Sequence, residues 1–230
     1  MISSRHVYYE HRKYQLVMNT FLKNYVALFT FGSILFPLEE SFSQNFTCDS
    51  QLYQVVDNKT LKVLEPSTGQ YQTIGSSSIN YNGAGYNSED GYIYGIGSGT
   101  KLLRIDNTGQ STDLGAISNF SALSYSGDFD LNGNWYSLKK NGSSWVANLI
   151  DVSVQPPSAQ EFTLTELGGV AAAVKTNDIA YNVVTHKFYG MQDGLIMEFD
   201  HLNHTVRAIA DYSLESESGG YGAVWADESG

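Results

Sequence analysis

The stretch that decides the fold is GAGYNSEDGYIYGI, from Gly83 to Ile96, because the chain repeats its pattern three more times. Two counterparts are GDFDLNGNWYSL, residues 127–138, and DIAYNVVTHKFYGM, residues 178–191. The last, YGAVWADESG, begins at Tyr221. Successive copies are 43, 52 and 44 residues apart when they are aligned on an aromatic residue that all four share: Tyr86, Phe129, Tyr181 and Trp225. Self-similarity at such a period indicates a repeat architecture.

Two further patterns recur between these copies. An apolar segment that ends in an acidic residue occurs as LKVLE, LLRID and IMEFD, which end at Glu65, Asp106 and Asp200. A shorter segment follows each of them, as QYQTIG, QSTDLG and TVRAIA. Each acidic side chain is expected to cap the turn after it, with Gly69 and Gly109 at positive φ.

Each unit therefore contains four short strands, and no segment has helical periodicity. A tyrosine recurs in the second strand, where aromatic residues suit a half-buried pleat: Tyr94, Tyr136 and Tyr189. Four-stranded units with a period near 44 predict an all-β chain, a β-propeller. The third unit carries an insertion over Val152–Val174, within which Leu164–Val174 is predicted as a loop rather than a short helix.

The order of the units predicts an incomplete ring. The first unit begins at Leu52 without a first strand, three complete units follow, and Tyr221–Ala226 forms a further first strand. Propellers usually close by completing one blade with strands from both termini. We therefore expect residues 44–230 to be a propeller domain that is incomplete at its C-terminus, a fragment of a protein with about five blades.

Residues 1–43 are expected to be a signal peptide. Twelve mostly apolar residues, Tyr25–Phe36, are too few to span a bilayer and have the length of a signal-peptide core. Small residues at Ser41 and Ser43 fit cleavage after Ser43. Met18 would open an ordinary signal sequence, with residues 1–17 as an upstream extension. The alternative is an uncleaved signal anchor.

The charge and the sequons bear on compartment and partners. The chain has 24 Asp and Glu against 13 Lys and Arg, a net charge of −11, and cleavage after Ser43 would leave −12. This excess argues against nucleic acid and against anionic membranes. Five N-glycosylation sequons follow Ser43 and fit a secreted, extracellular glycoprotein: Asn45, Asn58, Asn119, Asn141 and Asn203.

The single cysteine, Cys48, excludes an internal disulfide framework and a Cys-based zinc site. An odd cysteine in a secreted protein is expected to have a partner. We place that partner beyond residue 230, where the bond would close the ring.

A family resemblance rests on four segments of the sequence: FTCDSQLYQV, residues 46–55; YNGAGYNSEDGYIYG; LLRIDNTG; and DIAYNVVTHKFYG, residues 178–190. The chain resembles a family of secreted propeller-repeat domains of unknown function, within the wider YVTN-like and WD-like propeller superfamily. The resemblance covers residues 46–230 and implies a propeller, an extracellular setting and a second cysteine beyond residue 230. His186 departs from it by standing where the other copies suggest glycine. No catalytic residue transfers.

Candidate metal ligands lie at the predicted channel, where innermost strands converge. Asp128 and Asp178 are the acidic residues there, and the neighbouring polar positions are Asn82, Tyr125, Asn177 and Tyr221. Carboxylate and amide oxygens suit Ca²⁺. The alternative is that both aspartates bind backbone amides. His201 and His204 form an HxxH pair without further ligands, and Trp135, Trp145 and Trp225 are candidates for stacking on sugars.

No catalytic motif stands out, so the sequence favours a protein without enzymatic activity and without a cofactor other than Ca²⁺. The first hypothesis is a secreted scaffold of the extracellular matrix, acidic and associated with calcium or a biomineral, whose partners are matrix proteins or glycans. A second is a calcium-dependent lactonase or hydrolase that uses the channel. A third is a carbohydrate-binding module.

Overall fold

The computed structural model describes residues 44–46, 51–120, 126–141, 144–168, 176, 178–192, 194–211, 224 and 226. These residues form fifteen strands and contain no helix. The strands run in chain order through four groups, which we call blades 1 to 4. The fold is all-β and propeller-like, as the repeats predict. The described residues contain no helix with the length and apolarity that crossing a membrane requires.

Blades 1 and 2 are antiparallel meanders. Blade 1 has three described strands, in agreement with a first unit that begins at Leu52. They are β1 (Leu52–Val56), β2 (Thr60–Glu65) and β3 (Gln70–Ser76). Blade 2 has four, which are β4 (Tyr81–Asn87), β5 (Tyr92–Gly97), β6 (Lys101–Ile105) and β7 (Ser111–Ala116).

Blades 3 and 4 have four strands each and together form one eight-stranded sheet, because the ends of their outer strands pair in parallel. Blade 3 contains β8 (Asp128–Phe129), β9 (Trp135–Asn141), β10 (Ser144–Asp151) and β11 (Ser158–Glu166). Blade 4 contains β12 (Ala180–Asn182), β13 (Lys187–Gln192), β14 (Leu195–Asp200) and β15 (Thr205–Asp211). The last predicted strand, 221–226, lies outside the described residues apart from Val224 and Ala226.

The structure corrects the prediction for the third unit. The predicted insertion Val152–Val174 contains β11, the outer strand of blade 3, so much of it is regular sheet. Leu164 belongs to that strand and pairs with Trp145 of β10, rather than opening a loop. β11 has the sequence SAQEFTLTE, in which polar residues outnumber apolar ones, so its strand signal is weak.

Apolar cores lie between consecutive blades. Alternate side chains of a strand point to opposite faces of its sheet, so each blade contributes to the core on either side. Leu61 of blade 1 packs with Tyr81 and Leu103 of blade 2. Ile96 of blade 2 lies in one cluster with Trp135 of blade 3. The third cluster joins blades 3 and 4 through Tyr136, Leu138 and Trp145 on one side and Phe188, Met197 and Phe199 on the other.

The outer strands of neighbouring blades touch in the same way at three junctions. Each outer strand ends against the beginning of the next one. Blades 1 and 2 meet where the Ser77 and Ser111 hydroxyls lie 2.6 Å apart. Blades 2 and 3 meet where the Ser118 amide donates to the Pro157 carbonyl over 2.9 Å, and blades 3 and 4 where the Thr165 amide donates to the His204 carbonyl over 2.8 Å.

Turns alternate between two ends of each meander. The turns β2–β3, β4–β5, β6–β7, β8–β9, β10–β11, β12–β13 and β14–β15 lie on one face, which we call the capped face. The turns β1–β2, β5–β6, β9–β10 and β13–β14 lie on the opposite face, together with the connections between blades. The predicted glycines Gly69 and Gly109 lie in turns of the capped face at positive φ.

Candidate functional site at the inner edge of the blades

The first-strand aspartates lie where neighbouring blades meet at their inner edge. Asp128 begins β8, and its Oδ2 accepts a hydrogen bond of 2.8 Å from the backbone N–H of Tyr181 in β12. Gly85 of β4 faces Asp128 from the other side, with so little room that a Cβ on Gly85 would lie 2.8 Å from the Asp128 Cα. Asp128 therefore lies between the innermost strands of blades 2 and 4.

Asp178, two residues before β12, makes a similar contact one blade further on. Its Oδ2 accepts a hydrogen bond of 2.9 Å from the backbone N–H of Val224, 46 residues away. Its backbone carbonyl accepts a bond of 2.5 Å from the Thr176 hydroxyl. Two successive inner-edge contacts thus use one chemistry, a carboxylate that accepts an amide proton from the following repeat.

Both carboxyl groups have strongly raised pKa values. Burial raises the pKa of Asp128 to about 7, although the amide bonds from Tyr181 and Phe129 act in the opposite direction. Burial and, to a smaller extent, the charge of Asp128 together raise the pKa of Asp178 to about 7, although the amide bonds from Val224 and Ile179 act in the opposite direction. The charge of one group therefore affects the ionisation of the other. Protonation near neutral pH removes both the cost of burying a charge and the repulsion between the two carboxylates.

The predicted Ca²⁺ ligands are thus two amide-bonded carboxyl groups. The remaining oxygens of Asp128 and Asp178 are the atoms that could contact a cation. Asn82, predicted beside them, uses its Oδ1 to accept the amide of Gly83 over 2.9 Å. Tyr125, Asn177 and Tyr221 lie outside the described residues. Within the described part of the chain, no three His, Cys, Asp or Glu side chains group closely enough to hold a metal ion.

The acidic residues that end the third strands cap the following turns, as predicted. Oδ1 of Asp106 accepts the amides of Thr108 and Gln110 over 2.9 and 3.1 Å. Oδ1 of Asp200 accepts the amides of Leu202 and Asn203, and Oε1 of Glu65 accepts the Ser67 hydroxyl over 2.8 Å. These carboxylates hold turns of the capped face in one conformation.

Asp130 has the same role in the turn β8–β9, which the sequence analysis did not predict. Its Oδ1 accepts the amides of Asn132 and Asn134, each over 2.9 Å. The signal was present in the sequence, because Asn87 and Asn182 occupy the corresponding positions of the other repeats. Each of those asparagines accepts an amide of its own turn through Oδ1.

His201 and His204 do not form a metal pair. His201 is buried among Tyr136, Phe188 and Phe199, and its Nε2 lies 3.8 Å from Oδ2 of Asp130. Burial lowers the pKa of His201. His204 stacks on Phe162 of blade 3, with 4.2 Å between ring centroids. Both rings therefore belong to the junction of blades 3 and 4.

The tryptophans predicted to stack on sugars are core residues. Trp135 and Trp145 are both fully buried, so neither ring is available to a glycan. Trp225 lies outside the described residues. The prediction of an exposed sugar platform is wrong for the two tryptophans that the structure describes, because the cores between blades absorb both rings.

Four of the five sequon asparagines are described with their side chains and are exposed: Asn45, Asn58, Asn119 and Asn203. Asn58 lies in the turn β1–β2 and Asn119 in the connection between blades 2 and 3, both on the opposite face. Asn203 lies in the turn β14–β15 on the capped face. Asn141 ends β9, and Cys48 lies outside the described residues.

A family of repeats matches this architecture along nearly all of the described chain. The family described as "Repeat of unknown function" (DUF6923) matches residues 42–230. The chain belongs to this family. The match agrees with the repeated strand pattern and with the fold, and it names no activity. None of the curated proteins compared with the chain matches it significantly.

One solved structure supports the fold at low sequence identity. A protein of unknown function from Bacteroides thetaiotaomicron is 16% identical, with a TM-score of 0.52 over 77% of this chain and 53% of its own. Another from the same organism, described as an auxiliary nutrient binding protein, is 11% identical, with a TM-score of 0.45 over 72% of this chain and 40% of its own. The chain thus spans about half the length, or less, of these two proteins.

Proposed function

We propose that this chain is a secreted glycoprotein whose propeller acts as a non-catalytic interaction scaffold in the extracellular matrix. The observation that carries the proposal is the placement of the sequons. Asn58 and Asn119 are exposed in turns or connections, where an oligosaccharide meets solvent rather than a core. The apolar segment Tyr25–Phe36 supports entry into the secretory pathway.

The use of the acidic side chains supports a scaffold role. Asp106, Asp130 and Asp200 are buried and accept amides of their own turns. Asp128 and Asp178 accept amides of the next blade. Aspartate carboxylates are common in catalytic sites, but in this protein they fix turns and join strands. They therefore help to hold the surface rigid.

Expression of the full chain in a secretory eukaryotic cell line tests the proposal. We expect the protein in the medium, with a mass that falls on treatment with an N-glycosidase. Asn58→Gln and Asn119→Gln should each remove one glycan, while Asn80→Gln, at an exposed asparagine outside any sequon, should remove none. Unmodified protein retained in the cytosol would overturn the proposal.

One observation favours an enzyme as the second candidate. Two carboxyl groups with pKa values raised to about 7 at one inner edge resemble an acid–base pair. In that case Asp128→Asn and Asp178→Asn would abolish hydrolase or lactonase activity of the secreted protein. If both variants leave every detected activity unchanged, the carboxyl groups serve the scaffold alone.

Calcium binding belongs to the scaffold proposal as a separate question. Asp128 and Asp178 are the ligands that we would assign, and the net charge of −11 attracts divalent cations. Titration of the secreted protein with CaCl₂ in a calorimeter should then give heat above pH 7, where both groups ionise. The Asp128→Asn variant should lose that heat, and an unchanged signal in that variant would place the ion elsewhere.

A further inference from the structure

Three turns of the capped face meet around His201 and carry exposed aliphatic side chains at their tips. These are Leu131 in β8–β9, Val184 in β12–β13 and Leu202 in β14–β15, with exposed fractions of 47%, 60% and 74%. We call these three residues the apolar tips. Exposed apolar residues on one face of a molecule mark an interaction surface more often than isolated ones do.

Contacts beneath the tips bring these turns together. The residue before Leu131 is Asp130, whose Oδ2 lies 3.8 Å from Nε2 of His201, the residue before Leu202. The turn of Val184 joins them because the Tyr181 hydroxyl lies 3.2 Å from Nδ1 of His186. Tyr181 also contacts the His201 ring, with 6.1 Å between centroids.

The tips are held rigidly before any partner arrives. The side-chain oxygens of Asp130, Asn182 and Asp200 each accept two backbone amides of their own turn. Asn134 and Asn203 add amide bonds of 2.9 Å to the second oxygens of Asp130 and Asp200. A surface fixed in this way loses little conformational entropy on binding.

The charge around the tips is negative. Carboxylates of Asp130 and Asp200 lie directly beneath them. Exposed Glu89 lies against the turn of Leu131, since a Cβ on Gly133 would meet its Cγ at 3.1 Å. Lys187, which begins β13 next to these turns, is paired with Glu198 and Asp200. A partner that covers the tips therefore gains from positive charge.

From this combination we propose that the apolar tips dock a protein segment in which apolar side chains alternate with Lys or Arg. The apolar side chains cover Leu131, Val184 and Leu202. The basic side chains face exposed Glu89, and the buried charges of Asp130 and Asp200 beneath the tips add to the negative potential there. This inference rests on the proposed scaffold function, for which it names the class of partner.

Glycosylation of Asn203 would regulate access to the apolar tips. A glycan on Asn203 would project beside Leu202 and cover the tips, whereas glycans on Asn58 and Asn119 lie on the opposite face. Occupancy of Asn203 and docking therefore exclude one another.

The test uses the full secreted chain carrying Thr205→Ala, which removes the sequon but keeps the Asn203 side chain that bonds Asp200. Synthetic peptides of alternating Lys and Leu or alternating Glu and Leu are the probes. Fluorescence anisotropy should show binding of the Lys–Leu peptide that weakens with added salt. A triple variant with serine at positions 131, 184 and 202 should bind at least tenfold more weakly. Serine at Ile209, an exposed aliphatic residue of β15, is the matched control and should bind normally.

Equal binding by the triple variant and the Ile209→Ser control would overturn the proposal, because the peptide would then bind through the overall charge of the protein and not through the apolar tips. Binding of the Glu–Leu peptide would overturn the assigned partner charge. Self-association that the triple variant abolishes would also overturn it, in favour of a second copy of the chain. If the docking proposal fails in any of these ways but the protein is secreted and glycosylated, the proposed scaffold function is unaffected. Protein that stays unmodified in the cytosol would instead overturn the scaffold function, whatever the peptides do.

Discussion

The backbone N–H of Tyr181 donates a hydrogen bond of 2.8 Å to Oδ2 of Asp128, across the junction between blades 3 and 4. Asp128 and Tyr181 are 53 residues apart, and the bond joins the innermost strands of two consecutive repeats. Asp178 makes a similar bond to Val224. The inner edge of this propeller is thus joined by half-buried carboxyl groups whose ionisation the fold opposes.

Neutralising Asp128 should therefore stabilise the protein at high pH. Its pKa is about 7 in the fold and near 3.8 in the unfolded chain, so the folded state binds the extra proton between these values. The stability due to that proton is present at low pH and is lost as pH rises towards 7. We expect Asp128→Asn to match the natural protein near pH 3.5, below the unfolded pKa, and to exceed its melting temperature at pH 8 by on the order of 5 °C.

The matched control is Asp113→Asn. Asp113 is an exposed carboxylate whose pKa is lowered by its bond to Lys101, so it should gain nothing at pH 8. Equal melting temperatures of Asp128→Asn and the natural protein at pH 8 would show that Asp128 ionises in the fold without cost.

His201 should give a pH dependence of the opposite sign. Burial lowers its pKa, so the fold favours the neutral ring and the unfolded chain binds the proton more readily. Stability due to His201 is present above the unfolded pKa of about 6.5 and is lost as pH falls below it. Asp130 and Asp200 oppose this shift, and His186 and His204 reinforce it.

Thermal unfolding between pH 5 and pH 7 measures this dependence. His201→Phe retains the aromatic packing and should unfold with a smaller loss of stability at pH 5 than the natural protein. His204→Phe, at an exposed histidine, serves as the comparison. A loss in His201→Phe as large as in the natural protein would assign the dependence to another group.

Replacing His186 by glycine should stabilise the turn β12–β13. His186 has a φ of 57°, and glycines occupy the corresponding positions in blades 2 and 3, at Gly91 and Gly133. Relief of the left-handed conformation is worth about 1 kcal/mol, and loss of the exposed bond between the Tyr181 hydroxyl and His186 Nδ1 offsets part of it. We therefore expect the free energy of unfolding to rise by less than about 1 kcal/mol. Chemical denaturation measures it, with Thr185→Gly as the control in the same turn at negative φ, which should be destabilised. A similar loss in both variants would contradict the argument.

Replacing Gly85 by alanine should open the inner edge. The added Cβ would lie 2.8 Å from the Asp128 Cα and 3.0 Å from its Oδ1, and backbone cannot yield as a side-chain end can. We expect a loss of about 2 kcal/mol in the free energy of unfolding. Gly168→Ala, which meets open space, should change it by less than about 0.5 kcal/mol. Equal effects would mean that the inner strands separate easily.

The strands and their turn caps could be predicted because their signals are local. Asp106 precedes the amides that it binds by two and four residues, and Gly109 must adopt positive φ in that same turn. Contacts between blades are different. Nothing near Asp128 in the sequence indicates that its partner is the Tyr181 amide, because the bond depends on where two repeats meet in space.

Local patterns also failed where the signal was weak. The outer strand β11 lies in the predicted insertion because the loop before it, residues 152–157, is longer than the matching turns of the other repeats and contains Pro156 and Pro157. The sugar-stacking role of Trp135 and Trp145 failed for another reason. The sequence shows where a tryptophan stands in its strand, but it does not show that a neighbouring blade will bury the ring.

The central claim, a secreted glycoprotein scaffold, is tested most directly by mapping glycan occupancy at each sequon of the secreted full chain. Enzymatic release of an N-glycan converts its asparagine to aspartate, which peptide mass spectrometry detects. We predict occupied Asn58 and Asn119 on the opposite face, and an Asn203 whose occupancy falls in the fraction that binds the Lys–Leu peptide. Secreted protein with both Asn58 and Asn119 unmodified would contradict the account.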